Sequence, residues 1–419
     1  METWLASAAI VVIAVVIGIA GANAFVHMRW RHQRLAADIE RYTALAATIS
    51  RRDEAAHRRF SQRGSWSGFR KFRVTRKESE ADNIASFYLR PHDGRPVAPF
   101  LPGQFLTFRF HDEEDREPTI RCYSLSHAHA EGRDYRVTIK HLRPPPEAPP
   151  ETPWGKASSY FHNRVETDSV LEVAPPSGQF TLELAAGRPV VFIAGGIGIT
   201  PFLAMMEQLA EQEPAREAWL FYGVRTRDER VMTAQLSQWA KRPNVHVVTC
   251  YSHLSESGEP LEEFEEEGFI TTDVLGRWLP SSNYEFYVCG PPPMMTMVID
   301  GLLDWEVPRG SIHTEAFTPE TVREIAATTS TAEATSPREV SFRSTGKKLQ
   351  WTGDVGTILE LAEQNGLFLP SGCRAGNCGT CATPVLAGSF IYLSKPEAPV
   401  EEGSCLVCVS VPTEDIEFA

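Results

Sequence analysis

The sequence has little positive charge and few cysteines for its 419 residues. Its 41 Lys and Arg residues are outnumbered by 54 Asp and Glu residues, which gives a formal net charge of −13. A nucleic-acid-binding protein needs a basic surface to neutralise phosphates, so this composition excludes a general nucleic-acid partner. Eight cysteines are too sparse for a disulfide framework, which is typical of small, cysteine-dense secreted domains. The length predicts two to four domains.

Charge is absent altogether from one segment near the N-terminus. Residues 4–26 include no charged side chain, and as a helix they would span ~35 Å, enough to cross a bilayer core. Arg29, Arg31 and Arg34 follow this segment. Because positive charge stays on the cytoplasmic side, residues 1–27 are predicted to be a single-pass anchor in the cell inner membrane, with the catalytic domains cytoplasmic. A cleaved signal peptide is the alternative, but its basic residues would precede the apolar run.

Residues 28–65 lack Gly and Pro until Gly64 and are rich in Arg, Ala, Leu and Glu. This composition predicts a basic juxtamembrane helix. Two interpretations remain open: the helix lies against anionic headgroups, or it is a solvated spacer.

Three further regions differ in pattern. Residues 66–186 alternate short β-rich runs with turns and predict an antiparallel β-barrel. Residues 187–318 alternate buried strands with helices and predict a parallel α/β sheet. Residues 319–337 predict a flexible linker, and residues 338–419 form a compact domain with most of the cysteines. The predicted barrel strands are 70–75, 85–89, 104–110, 135–141, 170–173 and 180–184.

The clustered cysteines predict a metal cluster. Cys373, Cys378 and Cys381 have the spacing C-x4-C-x2-C, which is that of plant-type 2Fe–2S ferredoxins. Zinc or free thiols are the alternatives, but zinc knuckles usually come as paired C-x2-C motifs, and only one such pair is present. The spacing alone leaves the fourth ligand open between Cys405 and Cys408. Three glycines bracket these cysteines and let backbone N–H groups point at the sulfurs: Gly372, Gly376 and Gly379.

The segment 403–412 resembles the ferredoxin ending G-x-x-L-x-C-x-x-x-P. This resemblance implies that Cys408 is the fourth cluster ligand. It also implies an α+β, ferredoxin-like (β-grasp) fold for the C-terminal domain.

A flavin site is predicted at the motif R-x-Y-S. Arg121 offers a charge for the pyrophosphate, Tyr123 an aromatic face for the isoalloxazine ring, and Ser124 a hydroxyl near flavin N5. Further along the chain, Gly155 and Ser158 belong to a turn that opens a helix N-terminus, which suits a phosphate.

A nicotinamide site is predicted where a buried strand ends and a helix begins. The turn holds Gly195, Gly196 and Gly198, followed by Thr200 and Pro201. The glycines allow backbone to approach a pyrophosphate, Thr200 is expected to cap the helix or bind a phosphate, and Pro201 suits a first helical turn. The spacing is not the Rossmann pattern G-x-G-x-x-G.

Together these motifs resemble the ferredoxin–NADP reductase superfamily over residues 66–318, particularly the reductase modules of flavohaemoglobins and bacterial oxygenase systems. The resemblance implies FAD as the flavin. Phthalate dioxygenase reductases share this domain order but use FMN and lack the motif P-x-G-x-F, so Gly178 and Phe180 favour FAD.

The same resemblance implies roles for residues in the reaction. Ser124 is expected near flavin N5, and Cys289 and Glu315 along the hydride path, as catalytic residues. Gly290, in the C-G-P turn, is expected to let the nicotinamide dock, and Phe317 to shield the flavin ring.

The predicted donor is NADH. Residues 251–268 offer no Lys or Arg and are dense in Glu, so a 2′-phosphate would be repelled there. Arg225 and Arg227 keep NADPH open as the alternative.

The predicted function is electron transfer from NADH through FAD and a 2Fe–2S cluster to a membrane-proximal acceptor, namely an oxygenase, hydroxylase or desaturase. Direct quinone reduction is the first alternative. The sodium-pumping NADH:quinone reductase has a subunit with the same modules, but its ferredoxin module precedes the flavin module, whereas here it comes last. A non-catalytic redox sensor is the second alternative.

Overall fold

A computed structural model of the chain describes residues 66–419 except 112–117, 131, 145–147, 185–186, 255–260, 318–336, 354, 394–395, 397 and 399. These residues belong to one compact unit, Arg63–Ala419. The predicted anchor, the juxtamembrane helix and almost all of the predicted linker lie outside the described residues. Among the residues that are described, no helix is long and apolar enough to cross a membrane.

The first domain is a six-stranded antiparallel β-barrel, as the sequence predicts. Its strands are β1 Arg70–Ala81, β2 Ile84–Pro91, β3 Phe105–Phe110, β4 Thr119–Ser124, β5 Tyr135–Lys140 and β6 Val170–Val173. Their order is β4-β3-β6-β1-β2-β5, and a bridge between Leu125 and Val137 brings the two outer strands together. The helix Lys156–Arg164 places Phe161 edge-on against Phe87 and Phe108, with ring centroids 5.4 and 5.2 Å apart. This helix therefore completes the aromatic core of the barrel.

The strand predicted over residues 180–184 is not formed. Phe180 is instead buried against Phe202 and Tyr287 of the second domain, at ring distances of 5.9 and 5.7 Å. Glu183 N donates a hydrogen bond to the Tyr287 hydroxyl at 3.2 Å. The apolar pattern of this segment therefore reflects packing between two domains rather than strand pairing.

The second domain is a six-stranded parallel sheet with helices on both faces, as predicted. Its strands are β7 Val190–Gly195, β8 Ala218–Val224, β9 Val245–Tyr251, β10 Glu265–Glu267, β11 Glu285–Cys289 and β12 Ile312–Glu315. Its helices are Thr200–Gln212, Thr233–Ala240, Thr272–Trp278 and Pro292–Asp304. The order is β10-β9-β8-β7-β11-β12. Strands β8 to β10 therefore lie on one side of β7 and strands β11 and β12 on the other, so the strand order reverses at β7. Ligands of such sheets bind at the carboxyl edge, at this switch point.

Burial on both faces explains why the strands of this sheet are continuous apolar runs. Along β7, Phe192 faces one hydrophobic core and Ile193 faces the other. Both side chains are fully buried.

The C-terminal domain is a mixed α+β fold. Its strands are β13 Arg338–Phe342, β14 Lys347–Trp351, β15 Ala382–Ala387, β16 Phe390–Tyr392, β17 Ser404–Leu406, β18 Ser410–Pro412 and β19 Ile416–Phe418. The main sheet has the order β14-β13-β19-β15-β17, with β19 parallel to β13 and antiparallel to β15. The helix Ile358–Gln364 packs on this sheet and starts with a capping box between Thr357 and Glu360. The cysteine-bearing loop runs between this helix and β15.

Candidate active site

One cleft, here called the junction cleft, lies where the three domains meet. It holds about 400 Å³ of space, part of which is open to solvent. The cleft is lined by the paired ends of β3 and β4, the segment after β12 and the cysteine loop. Six of the residues singled out in the sequence line it: Arg121, Ser124, Glu315, Phe317, Gly372 and Cys373. The structure thus brings together residues that are up to 252 positions apart in the chain.

The barrel contributes the wall formed by β4. Ser124 ends this strand opposite Phe105 and is buried. Arg121 donates a hydrogen bond from Nη1 to the Ile120 carbonyl at 2.7 Å. Burial lowers the pKa of the Arg121 guanidinium, and the nearby Arg374 lowers it further. An anion in the cleft would relieve this unfavourable burial of positive charge.

Tyr123 packs its ring against the aromatic core of the barrel. Its centroid lies 5.1 Å from that of Phe161 and 5.8 Å from that of Phe108. Burial raises the pKa of the Tyr123 hydroxyl, so this group stays protonated. The ring therefore packs within the barrel and does not line the junction cleft, so its contact with a flavin ring stays a prediction.

The phosphate turn predicted at Gly155 does open a helix. Gly155 is the N-cap of the helix Lys156–Arg164 and provides no side-chain cap. Ser158 is buried; its hydroxyl donates to the Gly155 carbonyl at 2.8 Å and accepts from Leu142 N at 3.1 Å. Ser158 therefore secures the turn, and backbone N–H groups are the available phosphate donors.

The P-x-G-x-F motif joins the barrel to the second domain. Gly178 has a φ of +112°, and a Cβ on it would lie 2.9 Å from Cε1 of Phe105. Phe180 lies in the core of the second domain, as described above, and does not line the cleft. Gly178 leaves room for Phe105, which lines the cleft, and a role for Phe180 in cofactor binding stays a prediction.

Two glycine turns interlock at the switch point of the parallel sheet. A Cβ on Gly198 would lie 2.4 Å from the Cys289 carbonyl oxygen, and a Cβ on Gly290 would lie 2.9 Å from Gly195 Cα. A Cβ on Gly195 would lie 2.5 Å from Cδ of Pro291. These three glycines are therefore needed for the turns to pack against each other.

Gly196 differs from the other glycines of this turn. Its φ is +53°, and no atom lies within 4 Å of the place where a Cβ would stand. The open space suits the close approach of a pyrophosphate at this residue.

Thr200 does not cap the helix that begins with it. Its hydroxyl donates to the Ile197 carbonyl at 3.0 Å, and the N-cap is Ile199, without a side-chain cap. Thr200 is buried, and its hydrogen bond to Ile197 closes the short 3-10 turn Gly196–Ile199. Pro201 occupies the first helical turn, as predicted.

Cys289 and Glu315 lie side by side at the ends of β11 and β12. Both are buried. Burial raises the pKa of the Cys289 thiol, and the Glu315 carboxylate raises it further, so Cys289 remains a neutral thiol. Glu315 and the partly exposed Phe317 line the junction cleft, while Cys289 lies behind Glu315.

Backbone N–H groups of the cysteine loop converge on sulfur. Cys373 Sγ accepts hydrogen bonds from the N–H groups of Ala375, Asn377 and Cys378 at 3.2–3.4 Å. Cys378 Sγ accepts from Cys373 N at 3.3 Å. Such donors stabilise thiolates and the negative charge of a metal–sulfur cluster.

The predicted ligands form two sulfur pairs. Cys381 Sγ lies 3.0 Å from Cys408 Sγ, and Cys373 hydrogen-bonds with Cys378. Within each pair one pKa is lowered and the other is raised, as for two sulfurs that share one proton. Cys405 lies elsewhere, with its Sγ 2.9 Å from Ser410 Oγ.

This pairing fits a cluster with two irons, each held by two thiolates. The donor set therefore suits a 2Fe–2S cluster held by Cys373, Cys378, Cys381 and Cys408.

Cys122 is a residue of this region that the sequence did not single out. It occupies the variable position of R-x-Y-S and lines the junction cleft. Burial raises the pKa of its thiol, and the adjacent Cys378 raises it further. Cys122 Sγ lies 3.3 Å from Thr107 Oγ1. No spacing rule joins it to the other cysteines, because its contact with Cys378 depends on how the first and third domains pack.

Comparison with protein families gives three matches along the chain. Residues 71–182 match the oxidoreductase FAD-binding domain, residues 192–300 the oxidoreductase NAD-binding domain, and residues 342–413 the 2Fe-2S iron-sulfur cluster binding domain. The cofactor classes expected from the sequence, a flavin, a nicotinamide nucleotide and a 2Fe–2S cluster, are those of these three families.

Among curated proteins, the chain is similar to flavohemoproteins. It is 36% identical over 271 residues to that of Bacillus cereus, covering 64% of this chain and 65% of the relative. It is 34% identical over 282 residues to that of Halalkalibacterium halodurans, covering 67% of each. The chain therefore spans about two thirds of the length of these relatives.

Two solved structures are also similar. The FAD/NAD binding domain of nitric oxide dioxygenase from Vibrio cholerae O1 biovar El Tor has a TM-score of 0.53 and 29% identity, covering 60% of this chain and 99% of that one. Phthalate dioxygenase reductase has a TM-score of 0.51 and 26% identity, covering 84% of this chain and 98% of that one.

Proposed function

We propose, from the premise that this chain belongs to the ferredoxin–NADP reductase family and carries a C-terminal 2Fe–2S domain, that it passes electrons from NADH to an oxygenase, hydroxylase or desaturase. The chain is an NAD(P)H-dependent oxidoreductase with FAD-binding, NAD-binding and 2Fe–2S domains. The choice of NADH and the class of acceptor are the parts that we propose.

The junction cleft is the observation that carries this function. It is lined by flavin-motif residues, by the end of the nucleotide domain and by a predicted cluster ligand. FAD, when bound, exchanges two electrons with a nicotinamide and single electrons with an iron–sulfur cluster. Electron transfer of this kind requires the nucleotide, flavin and cluster sites to lie next to each other, and residues of all three line this one cleft.

The residues of the cleft have separable tasks. Ser124 offers a fixed, buried hydroxyl at the end of β4, placed to hydrogen-bond a flavin ring. Glu315 lines the cleft on the nucleotide side, and Cys289 is buried beside it as a neutral thiol. Phe317 lies at the rim, where its ring is placed to cover a bound flavin.

The set of domains in this chain supports the proposed class of acceptor. Phthalate dioxygenase reductase, described as a modular structure for electron transfer from pyridine nucleotides to 2Fe–2S, aligns over 84% of this chain. A reductase of this build needs a partner that takes single electrons at the cluster. An oxygenase-type partner meets that need.

The acceptor is proposed to lie at the cytoplasmic face of the inner membrane. The uncharged run 4–26, followed by Arg29, Arg31 and Arg34, supports a single-pass anchor. Anchoring raises the effective concentration of the reductase at a membrane-bound partner.

The proposed electron route is tested with two electron acceptors and two matched cysteine variants. The purified full chain is expected to reduce both ferricyanide and cytochrome c with NADH. In Cys408→Ser, cytochrome c reduction is expected to fall at least tenfold and acid-labile sulfide to be lost, while ferricyanide reduction, drawn from the flavin, persists. Cys405→Ser, at a buried cysteine of the same domain, is expected to keep both rates and its sulfide.

Two outcomes would contradict this route. Cytochrome c reduction that persists in Cys408→Ser after loss of the cluster would remove the cluster from the path. Failure of the intact, cofactor-loaded chain to oxidise either NADH or NADPH would leave only a redox sensor.

A further inference from the structure

Two arginines that follow β8 converge on one buried carboxylate. Arg227 Nη2 lies 2.7 Å from Glu265 Oε2, and Arg230 Nη1 lies 3.9 Å from Glu265 Oε1. The Tyr251 hydroxyl donates to Oε1 at 2.9 Å, and the Glu262 N–H donates to Oε2 at 3.1 Å. The Glu265 side chain is only 7% exposed, so its carboxylate is fixed in place by these partners.

This arginine–glutamate cluster, formed by Arg227, Arg230 and Glu265, lies at the carboxyl edge of the parallel sheet. There the loops after β8 and β9 are hydrogen-bonded to each other, Ser252 N to the Val224 carbonyl at 3.0 Å and His253 N to the Arg225 carbonyl at 2.8 Å. Strand β8 is in turn the neighbour of β7, whose end carries the glycine turn at Gly196.

The position of the cluster relative to a bound dinucleotide follows from the strand order. Cys289, on the predicted nicotinamide side, ends β11, which is on one side of β7. With the pyrophosphate at Gly196, the adenosine half must extend to the other side, over the ends of β8 and β9. The ribose of that half, where NADPH carries its 2′-phosphate, therefore lies near the cluster.

The chemistry of the cluster bears on this phosphate. A guanidinium pair is the group that proteins use to bind phosphate, through paired N–H donors. Here Arg227 already donates to Glu265, and Arg230 is paired with the same carboxylate by charge at 3.9 Å. A phosphate brought beside this carboxylate would be repelled. Arg230 Nε is buried and has no hydrogen-bond partner among the described residues, so one carboxylate does not satisfy both arginines.

We propose that Glu265 sets the nucleotide preference of this chain by holding Arg227 and Arg230 in place of a 2′-phosphate, so that NADH is accepted and NADPH is rejected. The proposal rests on the proposed function, in which the chain oxidises a nicotinamide nucleotide. In this arrangement Glu265 is a specificity-determining residue that acts through two arginines, and it takes no part in the redox chemistry itself.

The experiment uses the full-length holoprotein and two nucleotide fragments, ADP and 2′,5′-ADP, titrated by calorimetry. The wild type is expected to bind ADP at least tenfold more tightly than 2′,5′-ADP. In Glu265→Gln, which keeps the shape and removes the charge, the affinity for 2′,5′-ADP is expected to rise at least tenfold while that for ADP changes less than threefold. The kcat/KM ratio of NADPH to NADH should rise in parallel, and the rise should come from a lower KM for NADPH.

Neighbouring variants provide the controls. Glu266→Gln removes a charge paired with Arg277 at 2.6 Å and is expected to leave both affinities unchanged. Adding Arg227→Ala to Glu265→Gln is expected to cancel the gain for 2′,5′-ADP, because a phosphate needs the arginine that was freed.

Several results would overturn the proposal. One is a wild-type protein that binds 2′,5′-ADP as tightly as ADP. This test does not depend on the folding of any variant. Another is a folded Glu265→Gln protein with an unchanged preference. A chain that binds ADP selectively but oxidises neither NADH nor NADPH would refute the proposed function and leave this assignment standing, so the two failures are distinguishable.

Discussion

At the scale of single residues, the barrel buries a histidine that has to stay neutral. His127 is 2% exposed and lies with its ring 5.9 Å from that of Phe100. Burial lowers the pKa of His127 to about 2, and the charges of Arg136 and Arg133 lower it further. In an unfolded chain the pKa of histidine is about 6.5.

This difference predicts acid destabilisation of the barrel. Between about pH 6.5 and pH 2 the unfolded chain binds one more proton at His127 than the folded chain, so stability rises with pH and is lost as pH falls below about 6.5. The free energy of unfolding should decrease by about 1.4 kcal/mol per pH unit from this residue alone. Urea denaturation between about pH 7 and pH 5 should show a shallower decrease for His127→Phe than for the wild type. The exposed His92, replaced in the same way, controls for the loss of a histidine; equal slopes in all three proteins would refute the prediction.

The position of Cys122 leads to a prediction about the redox potential of the cluster. Burial raises the pKa of the Cys122 thiol and the adjacent Cys378 of the C-terminal domain raises it further, so the protonated thiol is placed to donate a hydrogen bond to the Cys378 sulfur. Hydrogen bonds to the sulfurs of a cluster favour its reduced, more negative state. A net bond of about 1 kcal/mol corresponds to roughly 40 mV for a single electron, so Cys122→Ala should lower the midpoint potential of the cluster by about that amount. An EPR-monitored redox titration measures this, with Cys250→Ala, at a buried cysteine of the second domain, as control; an unchanged potential at full iron content would show that the bond does not tune the cluster.

At the scale of elements, the two glycine turns that end β7 and β11 behave as one packed unit. A methyl group on Gly198 would meet the Cys289 carbonyl at 2.4 Å, and this backbone atom has no flexible end that can move aside. Gly198→Ala should therefore lower the free energy of unfolding by about 1–3 kcal/mol, as overpacking does. Gly276→Ala, in the helix Thr272–Trp278 with open space around it, should raise it by about 0.5–1 kcal/mol. Chemical denaturation compares the two variants, and a Gly198→Ala protein as stable as the wild type would show that the turns are loosely packed.

The elements themselves were largely predictable, because their signals are local. Buried runs such as Val190–Gly195 and the C-x4-C-x2-C spacing of the cysteines each lie within a few residues of sequence. The segment 180–184 was predicted wrongly because its apolar side chains pack on another domain. Contacts such as Glu265 with Arg227, 38 residues apart, and Cys122 with Cys378 depend on tertiary packing, and no pattern in the sequence marks them.

At the scale of the whole molecule, the C-terminal domain packs its cysteine loop directly on the flavin-motif strand. A Cβ on Gly372 would lie 3.4 Å from Cγ2 of Ile120, and Cys373 shares the junction cleft with Ser124. Domain packing, rather than the linker between the domains, therefore sets the distance between the cluster loop and the flavin wall. All the residues that line the junction cleft belong to one compact unit, Arg63–Ala419.

The last prediction separates this catalytic unit from the proposed anchor. A chain that begins at Arg63 should keep the NADH–ferricyanide rate of the full chain, since every lining residue of the junction cleft is retained. It should appear in the soluble fraction, whereas the full chain should stay with membranes after an alkaline carbonate wash. Ile13→Asp with Val16→Asp tests the uncharged run within the full chain: each charge at the centre of a span costs about 2.5–3.5 kcal/mol, so this variant should also leave the membrane. A truncated chain that remains with washed membranes, or a full chain whose N-terminus is removed near Ala24, would refute the anchor without touching the electron-transfer function.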